Sequence, residues 1–250
     1  MRNIVDFPHL IFVLSLVVLW LAAQLGGVIR RRLRSLKEDE RHDFDLVLTA
    51  TLTLLGLIIG FSFSMVISRY DQRKDYEEAE ANAIGTEYVR ADLLPEADAA
   101  RLHELLKNYL DQRVLFYETR DVNELSQIDV RTAHLQAGLW SAVEAVAVKQ
   151  PTYIVGLAVS GMNDVLNSQG YTLAAWRNRL PIAAWGLLAV IAILCNLLIG
   201  YTSHRKGGAL LVLPLAVSVS FFLIADIDSP RRGLIRVIPQ NLVTLSESLH

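Results

Sequence analysis

Four stretches of this 250-residue chain carry no charged side chain: residues 10–29, 46–68, 181–203 and 207–225. A helix rises about 1.5 Å per residue, so roughly 20 residues cross a hydrocarbon core of about 30 Å. Each stretch reaches about that length, and each ends abruptly in charge. Arg30, Arg31 and Arg32 follow the first, and Arg69 with Asp71 follows the second. Arg205 and Lys206 separate the third from the fourth, and Asp226 with Asp228 closes the fourth. A single charge at a helix centre costs about 2.5–3.5 kcal/mol on insertion, so its absence from all four is a strong constraint. Trp20, Tyr70, Trp185 and Tyr201 lie within or near the ends of the runs, where aromatic rings favour the membrane interface. The expected fold class is an all-α membrane protein with four transmembrane helices. The alternative for the first run is a signal peptide, which Asp6 and the run's length disfavour. The alternative for the last is a buried core helix, in which Pro214 is costly but better tolerated within a membrane bundle.

Composition adds exclusions. The chain is 52% hydrophobic, above the 45–50% usual for soluble domains, and the excess sits in the four runs. A net charge of -2 gives no electrostatic preference for nucleic acid. The one cysteine, Cys195, leaves no internal disulfide and no cysteine metal site. In an apolar run it reads as a buried structural thiol.

Between the second and third runs the pattern changes to charged and apolar residues alternating at helical spacing. The expected layout is a first transmembrane pair over 1–68, a helical soluble insertion over 69–179, a second pair over 180–225 and a tail over 226–250. One helix continues from the second run through Tyr70 to Leu93, before Pro95. A second covers about Glu96 to Glu118, where Leu102, Leu105, Leu106, Tyr109 and Leu110 form an i, i+3, i+4, i+7 stripe. A third follows Asp121, with Leu125, Ile128, Leu135, Leu139, Val143 and Val146, and stops before Pro151. A fourth spans Tyr153 to Asn167, with Gly170 as a break before Trp176. Asp98, Arg101, Glu104 and Lys107 read as a solvated face. The insertion is an extension of the transmembrane helices, not expected to fold alone.

Chemistry is sparse. Histidines at 9, 42, 103, 134, 204 and 250 have no ligand spacing, and no nucleophile elbow, phosphate loop or dinucleotide fingerprint occurs. Gly207-Gly208 reads as a turn. Glu77, Glu78 and Glu80 resemble a carboxylate cluster, for which a solvated helix face is the favoured reading over a metal site. The expectation is a protein that is not an enzyme and carries no cofactor.

The second run stands out. Thr49, Thr53, Gly56, Gly60 and Ser64 recur at spacings of three and four and so share one helical face. Gly56-x-x-x-Gly60 permits close backbone approach. A plain helix–helix contact is the simpler explanation of such a face. The functional one is a small, partly polar lining of a pore built from several subunits, with Phe61 as the bulky residue able to close it by dewetting.

Gly60-Phe61, followed by Arg69-Tyr70 and Asp71-Gln-Arg-Lys-Asp-Tyr, resembles the bestrophin pattern of Gly-Phe ahead of Arg-Trp. Asp226-Ile-Asp-Ser-Pro230-Arg-Arg-Gly233 resembles the segment after the last bestrophin span, and the order of parts agrees. Glu80-Ala-Asn-Ala-Ile84-Gly and Arg236-Val-Ile-Pro239 are similar to the bacterial bestrophin-like group, whose function is unassigned. The resemblance implies a homopentameric anion channel in the plasma (inner) membrane, with the lipid bilayer and small inorganic ions as its other partners. It implies a constriction at Thr53, Leu57 and Phe61, of which Thr53 departs from the family's apolar pattern. Arg231 and Arg232 beside Pro230, with no acidic run after them, give no expectation of a calcium clasp. It also implies a cytoplasmic helical insertion. Charge counting does not decide that point. Arg30, Arg31, Arg32, Arg34, Lys37, Arg41, Arg205 and Lys206 make eight basic residues on one side, against nine on the other.

Two functions follow. The first is an oligomeric, anion-conducting channel gated at Leu57 and Phe61, with Arg69 and Arg73 at the mouth; snorkelling at the interface is the plainer role for both arginines. The second is a non-conducting membrane scaffold or sensor whose helical domain binds a partner protein. A channel needs the second span turned toward a central axis, whereas a scaffold can bury it within the subunit.

Overall fold

The structure, a computed structural model, describes residues 7–32, 38–202 and 208–250. Arg2, Asp6, Arg34, Lys37, His204, Arg205, Lys206 and Gly207, which figure in the sequence reading, lie outside the described residues, as do the side chains of Arg41 and His42. The described residues form α1 (Pro8–Arg32), α2 (Glu38–Ala91), α3 (Glu96–Glu118), α4 (Val122–Lys149), α5 (Tyr153–Arg177), α6 (Ile182–Thr202), α7 (Val212–Asp228) and α8 (Gln240–Leu249). A 3-10 turn, Gly208–Leu211, precedes α7, and no strand occurs among the described residues. The chain forms two compact units. One comprises Met1–Arg69 and Arg179–Arg236; the other comprises Tyr70–Asn178 and Val237–His250.

In the first unit, α1, α6, α7 and the early part of α2 bury a common apolar core. Leu19, Leu55, Leu188, Ala192, Cys195, Val217 and Phe221 lie in it. Three helical stretches among the described residues are long and apolar enough to cross a membrane, within Pro8–Arg32, Asp43–Ala91 and Tyr153–Thr202. The outward faces are apolar too. Val13, Leu14, Val17, Leu21 and Leu25 of α1 are all exposed, as are Leu187, Val190 and Leu194 of α6. A continuous apolar surface of this kind suits lipid and not water. Pro214 falls in the first turn of α7, where no helical hydrogen bond to its nitrogen is needed. Its tolerance is therefore local and does not depend on the bundle.

Helices α1 and α6 touch backbone to backbone. A methyl group at Gly200 would overlap the Ala23 carbonyl, and one at Gly26 would overlap the Leu197 carbonyl. Small residues allow this approach, which maximises packing where lipid offers no hydrophobic drive. Gly200→Ala is expected to force the helices apart and destabilise the first unit by about 1–3 kcal/mol, as overpacking does. Gly186→Ala, whose added methyl meets nothing within 4 Å, should stay within about 0.5 kcal/mol of wild type. Thermal unfolding of the two solubilised variants compares them directly.

The second unit is a helical bundle. Its core includes Leu102, Leu106, Tyr109 and Leu110 of α3, Leu139 and Val143 of α4, and Met162 and Val165 of α5. The stripe read from spacing on α3 is thus its packed face. Pro95 precedes α3, the Asp121 carboxylate caps α4 by accepting from Asn123 N at 2.8 Å, and Thr152 caps α5 by accepting from Val155 N at 3.2 Å. Two expectations are corrected. Gly170 does not break the helix, because α5 runs unbroken from Tyr153 to Arg177. A helical glycine costs only about 1 kcal/mol, less than the burial of Thr172, Ala175 and Trp176 beyond it recovers.

The carboxylates of Glu77 and Glu80 are not a solvated face. Only Glu78 of the three is exposed; Glu77 is 1% and Glu80 0% exposed. Glu77 accepts from the backbone nitrogens of Asn241 at 2.9 Å and Leu242 at 3.0 Å, and from Asn241 Nδ2 at 2.7 Å. Pro239, in the capping position of α8, cannot serve these nitrogens. A carboxylate from α2 therefore caps α8, with the helix dipole in its favour.

Candidate pore-lining face of the second helix

In the first unit α2 has two unlike sides. Leu55, Ser62 and Val66, at steps of seven and four, are buried at 2%, 6% and 0% exposure, with Leu52 and Ile59 packed against the core beside them. The other side holds Thr49, Thr53, Gly56, Leu57, Gly60, Phe61 and Ser64, all exposed. Leu57 is 52% and Phe61 65% exposed. Methyl groups added at Gly56 and Gly60 would meet nothing within 4 Å. Among the described residues of one chain, then, no other helix packs against Gly56 or Gly60.

The threonine hydroxyls on this face are satisfied locally. Thr49 Oγ1 donates to the Asp45 carbonyl at 2.8 Å, and Thr53 Oγ1 to the Thr49 carbonyl at 2.9 Å. Such back-bonding lets threonine sit in apolar surroundings without an orphaned donor. Thr53, Leu57 and Phe61 follow one another at four-residue steps, each about 6 Å further along the helix.

The two arginines expected at a mouth have polar or buried surroundings within this chain. Arg69 Nη1 lies 3.7 Å from Asp228 Oδ1. Arg73 is 1% exposed inside the second unit, so its guanidinium does not face an open surface of this chain. It belongs to a buried stripe on α2 formed by Arg73, Glu77, Glu80, Ile84, Glu87 and Ala91. The stripe recurs at steps of four and three, and the spacing brings each of these side chains to the packed side of the helix.

The segment from Asp226 to Gly233, the last residues of α7 and the turn after them, is held by its acids. Asp226 accepts from Leu234 N at 2.7 Å and Ile235 N at 2.8 Å. Asp228, 1% exposed, accepts from Leu180 N through both oxygens at 3.1 Å, and Arg179 Nη1 donates to its carbonyl at 2.6 Å. A side chain at Gly233 would overlap the Asp226 carbonyl. Both carboxylates thus hold backbone, securing the start of α6 and the exit from α7.

A polar network in the second unit escaped the sequence reading. Glu80 pairs with Arg113 Nε, and also accepts from Thr172 Oγ1 at 3.0 Å and Tyr117 Oη at 3.3 Å. The Arg113 guanidinium stacks over Phe116 at 4.4 Å. Burial, the largest single influence, lowers the Arg113 pKa, but Glu80 together with Tyr109 and Tyr117 raises it overall. Burial, reinforced by the Glu80 charge, likewise raises the Tyr109 and Tyr117 phenols far above their ordinary range, so both remain neutral.

The chain matches the Bestrophin-like domain over residues 13–242. It belongs to the bestrophin-like family. Among solved structures, this bestrophin-like chain is similar to a bacterial bestrophin homolog from Klebsiella pneumoniae solved by Zn-SAD phasing, at 14% identity and a TM-score of 0.64. That match covers 94% of this chain and 98% of the homolog. A single-residue variant of the same Klebsiella homolog gives 12% identity and a TM-score of 0.67, with 95% of each chain covered. No curated protein matches. At such identity the structural likeness carries the fold alone. Family membership and the apolar helices together make the bestrophin-like chain a membrane protein.

Proposed function

We propose that this bestrophin-like protein is an oligomeric ion channel in which α2 lines the pore, with its constriction at Leu57 and Phe61. The observation that carries the reading is the open face of α2. One side of the helix is sealed into the subunit, while the side with Gly56, Leu57, Gly60 and Phe61 is free to meet other copies or an aqueous path. A scaffold that buried this face within its own subunit would not leave it so.

On this reading Gly208–Asp228, the 3-10 turn with α7, makes a fourth crossing of about 30 Å, and the helical unit is a cytoplasmic insertion between the second and third. Kinship with the bestrophins supports a homopentamer in the plasma membrane that conducts anions. With Arg69 close to Asp228 and Arg73 buried, the anion preference rests on that kinship and not on these two side chains. Thr53 in place of an apolar residue leaves a two-ring constriction, Leu57 over Phe61, that closes by staying dry. The reading assigns the chain no catalytic role.

Mass measurement and cross-linking test the assembly. The solubilised protein is expected at five times the 27.9 kDa chain mass. Because Cys195 is the sole cysteine, Leu57→Cys in a Cys195→Ala background should give disulfide-linked dimers under mild oxidation. A monomer that forms no such dimer would leave the scaffold as the surviving function.

A further inference from the structure

Glu87 lies on the buried stripe of α2 in the second unit and differs from its two neighbours there. Glu77 and Glu80 are fully partnered, as described above. Glu87 is 0% exposed, and neither carboxylate oxygen has a hydrogen-bond partner among the described residues. An ionised carboxylate in such a place is costly, whereas a neutral carboxylic acid is far less so.

Helix α5 presses directly on this group. A methyl group at Gly161 would overlap Glu87 Oε2 and Arg90 Nη1, so glycine at this one position makes the space the carboxyl occupies. The charged groups that bear on Glu87 are Arg90, one turn on along α2, and Asp164, one turn beyond Gly161 on α5. Arg90 favours loss of the proton and Asp164 favours its retention. Arg90 also borders a groove to which α8 contributes Asn241, Thr244, Leu245 and Ser248, none of them charged.

We propose that Glu87 is a proton-binding site that locks α5 against α2: the carboxyl is neutral in the closed packing, and loss of its proton to solvent releases α5. Burial, opposed by Arg90 and reinforced by Asp164, pushes the carboxyl from 4.5 up to about 8. The sign follows from linkage. The closed packing holds a proton that the opened one surrenders, so the lock is at full strength below pH 4.5 and weakens as pH rises, until it is lost through about 8. The effect does not depend on whether the protein conducts.

Amide hydrogen exchange along α5 in the full-length protein, corrected for intrinsic rates, measures the lock between pH 6 and 9. The opening equilibrium of α5 should rise about tenfold per pH unit and level off near pH 8. Glu87→Gln should abolish the slope. Asp164→Asn should move the levelling point to lower pH and Arg90→Gln to higher pH, which tests the site even if Glu87→Gln fails to fold. A pH-independent α5 in wild type, an unchanged slope in Glu87→Gln, or displacement of both flanking variants in the same direction would overturn the proposal.

Discussion

Arg113→Met is expected to lower the stability of the helical unit by about 3–5 kcal/mol, the cost of removing one member of a buried ion pair. The substitution keeps a long, unbranched side chain over Phe116 but leaves Glu80 with only the Thr172 and Tyr117 hydroxyls. Two neutral donors do not offset the desolvation of a carboxylate at 0% exposure. Thermal unfolding should show a fall of roughly 10 °C in Tm. The double variant Glu80→Leu with Arg113→Met should recover most of that loss, since replacing a whole buried pair by apolar side chains is often neutral or stabilising. A double variant no better than the single one would mean that the network is needed for the packing itself and not only for charge balance.

The uneven legibility of this chain has a physical basis. Three apolar helical stretches long enough to cross a membrane could be read from sequence because a charge in lipid is so costly that its absence over 20 residues has few other causes. Helix α3 could be read because Leu102, Leu106, Tyr109 and Leu110 face one way by period alone. Glu77 and Glu80 were misread as solvated because their partners are remote in sequence. Arg113 lies 33 residues away, and Asn241 lies 164 away. A local pattern of charge on a helix cannot reveal partners at such distances. One signal was present: Arg73, Glu77, Glu80, Ile84, Glu87 and Ala91 keep the four-three spacing of a packed stripe, in which charges occupy core positions. Gly170 shows the converse, a local breaker overridden by tertiary packing. On α2 the small-residue face was legible as a face, but spacing could not say whether it meets another helix of the same chain. Among the described residues, the space at Gly56 and Gly60 is open.

Phe61 carries the largest functional expectation. It is 65% exposed on the open face, one turn beyond Leu57, and its ring is the bulkiest group there. A narrow apolar ring excludes water, and ions then cannot pass without losing their hydration. Phe61→Ala removes the ring from every copy at once, so the neck should wet and conduct more readily. The backbone should tolerate the change, since the side chain packs little within its own subunit. Leu21→Ala, on the exposed face of α1, removes comparable apolar bulk away from the proposed pore and should leave conduction unchanged. The direct test is ion flux from liposomes containing the full-length protein, under imposed anion and cation gradients. The expected result is anion flux in wild type, severalfold faster flux in Phe61→Ala, and wild-type flux in Leu21→Ala. No flux from wild type or Phe61→Ala under any gradient, or equal flux from the two, would contradict the assignment of α2 as the pore-lining helix.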